Sequence, residues 1–416
     1  MFLPPTRATS LVLFLLFAST TLLSQPRDLK SQAMTAFVEE DYARAIELIR
    51  LAITSNPNNA ENYYYLGHFL HQECVDAVPN PDCGRARSDE IIRHMEEAIA
   101  RNPGLTDSYF YLGLEHGVRA REELFSGNPT GALEQLRIAR AKNGLPDWLI
   151  EYGKNVLRSC EQSSILFTSG DAEANAIFYA QAIDRVRTDV TVIPIPLLNH
   201  PDFLLQLKRG IRDYLVPAPM SWGEQQILAG RPYRWKTRNI TVPGMAGQIL
   251  TYPVTSDITM ESRTYLSLAK SAIIDIIRTN RWRRSIHFSL AAPVWSYNDL
   301  TRSLEIFGLT LRFVPVAGSG QGFAVNVGPT EHVLLDALNF AYLPTLRDRN
   351  FAQASILLNG YRDVFLQLIQ THMTNGRNAE ARRALDAMDR HVPNDVLPMA
   401  DVWMEFVSGL RQRLRE

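Results

Sequence analysis

The residues with the clearest chemical potential form one short run, Ser169-Gly170-Asp171-Ala172-Glu173, directly after the apolar stretch SSILFT. An apolar run that ends in Ser-Gly reads as a buried strand, and the amphipathic stretch behind it reads as a helix. In open α/β sheets ligands bind beyond the carboxyl ends of the strands. That rule selects Thr168, Ser169, Gly170 and Asp171 after the first strand, Asn199 and His200 after the second, and Ser289 with Trp295 near a third. The candidate ligand-binding set is therefore Ser169, Gly170, Asp171, Glu173, Asn199 and His200. Gly170 would let backbone amides form a small anion nest, but Asp171 opposes an anion there, so a carboxylate in this place suits sugar hydroxyls or a cation better. As an acid–base couple Asp171 and Glu173 are poorly placed, because residues two apart on a helix do not face each other. The competing structural reading has both carboxylates favouring the helix dipole, Asp171 capping the helix and His200 starting the next one.

Other reactive residue types form no recognisable constellation. His287 lies within an expected strand and reads as a packed core residue, and Cys160 has no identifiable partner, so neither a Ser-His-Asp nor a Cys-His arrangement is expected. The nine histidines are scattered and no cysteine pair has zinc-ligand spacing, so no metal site is expected. The first strand is not followed by G-x-G-x-x-G, which removes the dinucleotide fingerprint and leaves no cofactor implied. The run Arg281-Trp282-Arg283-Arg284 is a candidate for phosphate or glycan binding, against a plainer reading as a solvated approach to a strand with Arg–carboxylate pairs. Apolar residues make up 46% of the 416-residue chain, charged residues 21%, and the net charge is −1. That balance fits a globular protein of two or three domains and gives no case for nucleic acid or an anionic membrane as the main partner.

The elements around these residues fall into four regions: 1–25, 26–145, 160–330 and 331–416. Residues 1–25 carry Arg7 and then the almost unbroken apolar run Ser10–Leu23. The run is shorter than the roughly 20 residues that span a bilayer and fits the core of a secretory signal peptide, with cleavage after Ser24; an uncleaved anchor is the alternative. Residues 26–59 fit a helix–turn–helix repeat of about 34 residues, with Ala33, Ala45, Ile49, Ala52 and Pro57 at its small, bulky and helix-ending positions. A second copy has Tyr63, Leu66 and Gly67, then Ile91, Met95, Ala98 and Pro103; a third has Tyr109, Leu112 and Gly113, then Ala132, Leu136 and Ala139. Within the second copy Cys74 and Cys83 bracket an inserted loop, where they form either a disulfide or two free thiols. These residues resemble the tetratricopeptide repeat family. Such repeats stack into a solenoid that binds protein, with Tyr63 and Tyr109 as candidate partner-binding residues, or else they pack on the next domain.

The central region reads as β-α-β-α from SSILFTSG to HPDFLLQLKRGIRDYL, implying parallel strands with right-handed crossovers. A small hairpin is expected from NITV and QILTYPV, a helix over Met260–Asn280, a strand at RSIHFSLA, a helix at NDLTRSLEIFG, a strand at LTLRFVPV and an edge strand at FAVNV. The fold class is thus α/β plus all-α: a Rossmann-like open, mainly parallel sheet flanked by tetratricopeptide-type helical repeats. The region from Leu334 onward reads as helical, with Ala381, Leu385, Met388 and Pro393 in one more repeat-like unit.

Beyond the repeats, the order Ser169-Gly170-Asp171-Ala172-Glu173, Phe178-Tyr179, Arg187-Thr188-Asp189-Val190, Leu198-Asn199, then Ser221-Trp222, Asn280, Trp282, Arg284-Ser285-Ile286-His287-Phe288 and Val314-Pro315 resembles the soluble region of a bacterial family of multispan membrane proteins similar to protein O-mannosyltransferases. The resemblance covers about 160–395 and implies an envelope role alongside such glycosyltransferase-like proteins. The family's multispan part has no counterpart in these residues, so its transferase activity is not implied here. The family's Asn-Gly-Asp-Asn-Asp motif has lost both asparagines here, and one Asp is changed to Glu. The expectation is an exported periplasmic or cell-envelope scaffold protein that binds a protein partner through its repeats and a glycan at its α/β domain, without nucleic acid. The alternative is a hydrolase or transferase acting on sugars or phosphoesters at the carboxyl edge of the sheet.

Overall fold

The structure is a computed structural model that describes residues 28–76, 83–243, 249–315, 322–346 and 352–415. The apolar leader expected over 1–25 lies outside the described residues. Helices α1 (Leu29–Val38) and α2 (Tyr42–Ser55) form a helical hairpin. Asp28 and Asp41 cap them, their carboxylates accepting from the Ser31 and Arg44 backbone N–H groups at 2.7 and 3.1 Å. Ala33, Ala45, Ile49 and Ala52 are buried between the two helices. This hairpin belongs to a compact unit that ends at Asn58; residues 59–416 form a second.

The second unit opens with two further hairpins, α3 (Ala60–Asp76) with α4 (Arg85–Arg101) and α5 (Thr106–Phe125) with α6 (Pro129–Ala141). Small residues allow the close approach. A Cβ on Gly67 would meet the Met95 methyl at 2.7 Å, and one on Gly113 would collide with the Gly144 carbonyl. Cys74 and Cys83 are joined by a disulfide that closes the enlarged connection between α3 and α4, with their Cα atoms 5.4 Å apart.

The interval between the helical and α/β regions, 146–159, holds α7 (Asp147–Arg158), which is buried almost all round. Gly153 lets it lie against α8 (Asp171–Ala182), where a Cβ would sit 3.0 Å from the Ala176 carbonyl carbon. Strands β1 (Ile165–Thr168) and β2 (Thr191–Pro194) flank α8 in sequence and pair in parallel. Helix α9 (Pro201–Arg209) follows and stops at Gly210, whose φ of +73° leaves the helical region. The short helix α10 (Glu224–Leu228) leads to two small antiparallel sheets, built from β3 (Tyr233–Arg234), β6 (Ile258–Met260) and β7 (Arg263–Leu266), and from β4 (Arg238–Pro243) and β5 (Ile249–Val254). Helix α11 (Leu268–Asn280) then returns to the main sheet at β8 (Ile286–Ser289).

The remaining strands are β9 (Leu304–Phe307), β10 (Thr310–Phe313) and β11 (Ala324–Val325), giving the six-stranded order β11-β9-β10-β8-β1-β2. β1 runs parallel to β2 and β8, β11 runs parallel to β9, and β10 is antiparallel to both β8 and β9. The sheet is mixed, and the reason is local. The expected helix at NDLTRSLEIFG is a 3-10 turn over Asn298–Ser303 followed by β9, which folds straight back as β10. Gly308 at φ +56° opens the two-residue turn between them, and a left-handed first position is what a tight hairpin demands. The expected helix from Met260 likewise begins only at Leu268. Glu261 and Ser262 both take positive φ and turn β6 back into β7, and Ser267 caps α11 by accepting from the Lys270 N–H. Helix α12 (Val327–His332) leads to α13 (Ala352–Thr374) and α14 (Asn378–His391), which form a hairpin with Ala381, Leu385 and Met388 buried, and α15 (Asp401–Arg415) ends the described chain.

Gly113→Ala should lower the unfolding free energy by about 1–3 kcal/mol, because the added methyl meets backbone that cannot rotate away. Urea denaturation of the two chains checks this; an unchanged midpoint would mean that α5 and the Gly144 backbone beyond α6 are not in such close contact.

Candidate functional site

The carboxyl ends of β1, β2 and β8 lie side by side, as the parallel pairing requires. At their centre is Glu173, only 1% exposed. Its Oε2 accepts from the Ser169 N–H at 2.8 Å and from the Ser289 hydroxyl at 2.8 Å; its Oε1 accepts from the Tyr152 hydroxyl at 3.1 Å. Burial pushes the Glu173 carboxyl above its ordinary value, and the hydrogen bonds from Ser289, Ser169 and Tyr152 oppose that rise. The phenol of Tyr152 is raised strongly, first by burial and then by the neighbouring carboxylate.

Asp171 has a different fate. It stands at the first position of α8, where Gly170 is the N-cap and supplies no side chain, and its carboxylate forms an ion pair with Arg121 of α5. The capping role is therefore not observed. Asp171 and His200 face a cleft of about 410 Å³ between α8 and helices α3–α5, bordered also by the disulfide, Arg87 and Arg121. His200, on the residue before α9, has its imidazole held below the ordinary value by partial burial and then by the Arg121 charge. Asn199 is turned elsewhere: its Oδ1 accepts from the Ala269 N–H at 3.1 Å, in the first turn of α11. It borders a second cleft, of about 640 Å³, with Trp295, Asp257, Ser267 and Arg231. Thus Ser169 and Glu173 are joined to each other beneath the sheet's edge and Gly170 caps α8, Asp171 and His200 line one cleft, and Asn199 lines the other.

Several reactive types are plainly structural. His287 is fully buried in β8, its Nδ1 2.8 Å from the Thr310 hydroxyl, and burial lowers its proton affinity. The Cys160 thiol is buried and pushed up to about 12, so it is not a nucleophile at neutral pH. Arg284 donates to the carbonyls of Ser163, Ser164 and Pro217 and to the Thr191 hydroxyl, in place of the carboxylate pairing expected for this run. Trp282 stacks on Phe313 with ring centroids 4.7 Å apart. Arg187 donates to the carbonyls of Leu157, Cys160 and Glu161 and binds Asp189 through two bonds of 2.9 Å, stitching α7 to the start of β2. Tyr63 lies under the Arg101 guanidinium at 4.0 Å, and Tyr109 is half-buried on α5. No group of three or more metal-ligating side chains occurs among the described residues.

Residues 149–242 match the model of the family described as TMEM260-associated domain 2. The match runs from α7 to β4, and so includes Glu173, Asp171, Asn199 and His200 but not Ser289 or Trp295. No curated protein matches the chain. Sequence reading did not find Tyr152, Arg121, Arg231 or Asp257. The first two act across 21 and 50 residues of chain and leave no local signal. Asp257 could have been found from the Ser267 that caps α11, since its carboxylate binds the Ser267 N–H at 2.8 Å.

Glu173→Ala should destabilise the fold by about 3–5 kcal/mol, because it strands two hydroxyls and a backbone N–H in the interior. Asp171→Ala should cost no more than about 1 kcal/mol, since its ion pair is partly exposed. A raised folded-state pKa means that Glu173 contributes most below its unfolded value near 4.5 and loses that contribution as pH rises through the folded value. The stability margin of the native chain over Glu173→Gln should therefore shrink from pH 4.5 upward. Asp189 behaves oppositely. Its Arg187 partner holds it down to about 2, so it stabilises above 3.8 and the effect fades as pH falls towards 2. Urea midpoints of the native chain, Glu173→Gln and Asp189→Asn across pH 2–8 test both signs.

Proposed function

We propose that this protein is an exported binding and scaffold protein of the cell envelope, in which tetratricopeptide-type helical pairs engage a protein partner and a Rossmann-like α/β unit binds a glycan. The observation that carries this reading is how the carboxylates at the sheet's edge are used. Glu173 is saturated by three donors and Asp171 is neutralised by Arg121, so neither is free to act as a general acid or base. The cleft beside them offers what carbohydrate recognition needs: the half-buried face of Trp295, the Asn199 amide nitrogen and the Arg231 guanidinium, the last two without a protein partner among the described residues. The Cys74–Cys83 disulfide supports an oxidising compartment, and the apolar run in 1–25 supports export. The match over 149–242 and the wider resemblance support a partner of the membrane-embedded, glycosyltransferase-like kind.

The enzymatic alternative, a hydrolase or transferase, has one observation in its favour. His200, kept neutral and so able to accept a proton, shares a cleft with Asp171. It predicts that Asp171→Ala abolishes a hydrolytic or transfer activity with little change in melting temperature.

Titration with soluble envelope oligosaccharides, followed by calorimetry, tests the leading reading. Trp295→Ala is expected to weaken glycan binding by at least about tenfold, the loss of a ring face worth about 1.5 kcal/mol or more, with the melting temperature preserved. Binding that survives in Trp295→Ala and disappears in Asp171→Ala would move the site to the other cleft, and no binding to any glycan would remove the glycan reading. For the scaffold part, affinity capture from envelope extract should recover a multispan partner that is lost when Tyr63 and Tyr109 are replaced by Ala.

A further inference from the structure

The three-stranded sheet β3-β7-β6 is anchored to the core on one face by Trp235 and Leu266 and turns the other to solvent. Opposed residues on neighbouring strands share a face. The register sets Arg234 opposite Tyr265 and Tyr265 opposite Ile258, and sets Met260 opposite Arg263. Alternation along each strand then places Arg234, Ile258, Met260, Arg263 and Tyr265 on one face, and Lys236, two residues beyond Arg234, continues it. The opposite face carries Trp235 and Leu266, both buried, with the Trp235 indole donating to the Val254 carbonyl at 2.8 Å, while Tyr233, Thr259 and Thr264 of that face are exposed beyond the core contact. The first face is thus the outer one: Arg234, Lys236, Arg263 and Met260 are exposed, Met260 at 50%, and Ile258 and Tyr265 are half-exposed.

The charge here is one-sided. Residues 231–263 contain five basic side chains, Arg231, Arg234, Lys236, Arg238 and Arg263, against two acidic ones, Asp257 and Glu261, in a chain whose net charge is −1. None of the five forms an ion pair among the described residues, although cations elsewhere are widely paired. Arg238 lies over the Trp235 ring at 4.0 Å, and Asp257 spends its carboxylate on Ser267. Leu228, at the end of α10, adds a further exposed apolar side chain (58%) just ahead of Arg231 in sequence. A sheet face that interleaves unpaired cations with an exposed Met and a half-exposed Tyr fits a surface that is negative outside and apolar just beneath.

We propose that the outer face of this sheet docks the protein peripherally on an anionic phospholipid surface. Arg234, Lys236 and Arg263 meet the headgroup phosphates, and Met260 at the hairpin tip enters the acyl boundary with Tyr265 at headgroup level. The face adjoins the Trp295 cleft at Ile258, but its headgroup contacts are made by Arg234, Lys236 and Arg263, outside that cleft, and the interaction falls with ionic strength.

Co-sedimentation of the full chain with phosphatidylcholine vesicles, and with vesicles of phosphatidylcholine and phosphatidylglycerol in equal parts, tests the proposal. The chain should partition preferentially to the anionic vesicles. The variant R234E/K236E/R263E should lose on the order of 100-fold in that partitioning, from about 1 kcal/mol per cation at the surface. Met260→Ser should lose a smaller factor, on the order of threefold, that persists at high salt. Both variants keep any apolar leader and alter only outward side chains, so an unchanged circular dichroism spectrum and melting temperature confirm folding. Arg231, which borders the Trp295 cleft, is left intact so that glycan and lipid binding are read separately. Equal binding to both vesicle types, equal partitioning of the charge-reversed variant, or binding to soluble heparin without binding to vesicles would each overturn the proposal.

Discussion

A carboxylate in a protein interior is tolerated only if its oxygens are filled with donors, and Glu173 shows what that demands of the surrounding chain. One donor is the Ser169 amide just past β1, another the Ser289 hydroxyl at the end of β8, the third the Tyr152 hydroxyl on α7. Four elements must therefore converge within hydrogen-bonding distance before the charge is satisfied. A shift of any one by an ångström leaves a buried charge short of a partner. The carboxyl edge of the sheet is organised around this requirement, and what remains for a ligand is the space to either side of it.

Helix α7 extends the same constraint to the rest of the second unit. Its Tyr152 meets Glu173, its Gly153 admits α8, and its Asn155 donates to the Asn339 carbonyl and the Tyr361 hydroxyl at 2.7 and 2.8 Å while accepting from the Asn339 N–H. The start of α8 and the helices after the sheet are thus fastened to one element, while α5 and α6 pack on α8. A single apolar core accordingly runs from α5 through the sheet to α15. The family-like stretches serve this scaffold. Arg187 and Asp189 clamp α7 to β2, and Arg284 ties the start of β8 to the carbonyls that precede β1.

The resemblance noted in the sequence thus concerns residues that hold strands in place more than residues that hold a ligand. The two clefts differ in character for the same reason. The one beside Asp171 is walled by ion pairs and a disulfide, and the one beside Trp295 keeps an aromatic face, an amide nitrogen and a guanidinium in reserve. The cationic sheet face straddles the end of the matched residues, with β3 inside them and β6 and β7 beyond, and its sheet is anchored to the core through Trp235 and Leu266.

Wherever a feature is written in local periodicity or in a capping residue, the sequence alone determined it. The helical pairs, the small positions Ala33, Ala45 and Ala52, the strand–helix–strand succession from β1 to β2 and the burial of His287 are of this kind, because spacing along one element sets which face is apolar. The disulfide was open to two readings, and only the 5.4 Å Cα separation joins its halves. Elements whose identity depends on a partner strand were misread. LEIF reads as the end of an amphipathic helix until β10 pairs with it, and MESRTYL until Glu261 and Ser262 turn it back on itself. The candidate site divided in the same way. That Ser169, Asp171 and Asn199 stand at or just beyond strand ends was legible in the sequence, but their partners were not. Whether a carboxylate is free, paired or saturated is decided by Tyr152, Ser289 and Arg121, which reach it from 21 to 116 residues away, and only the packed structure brings them there.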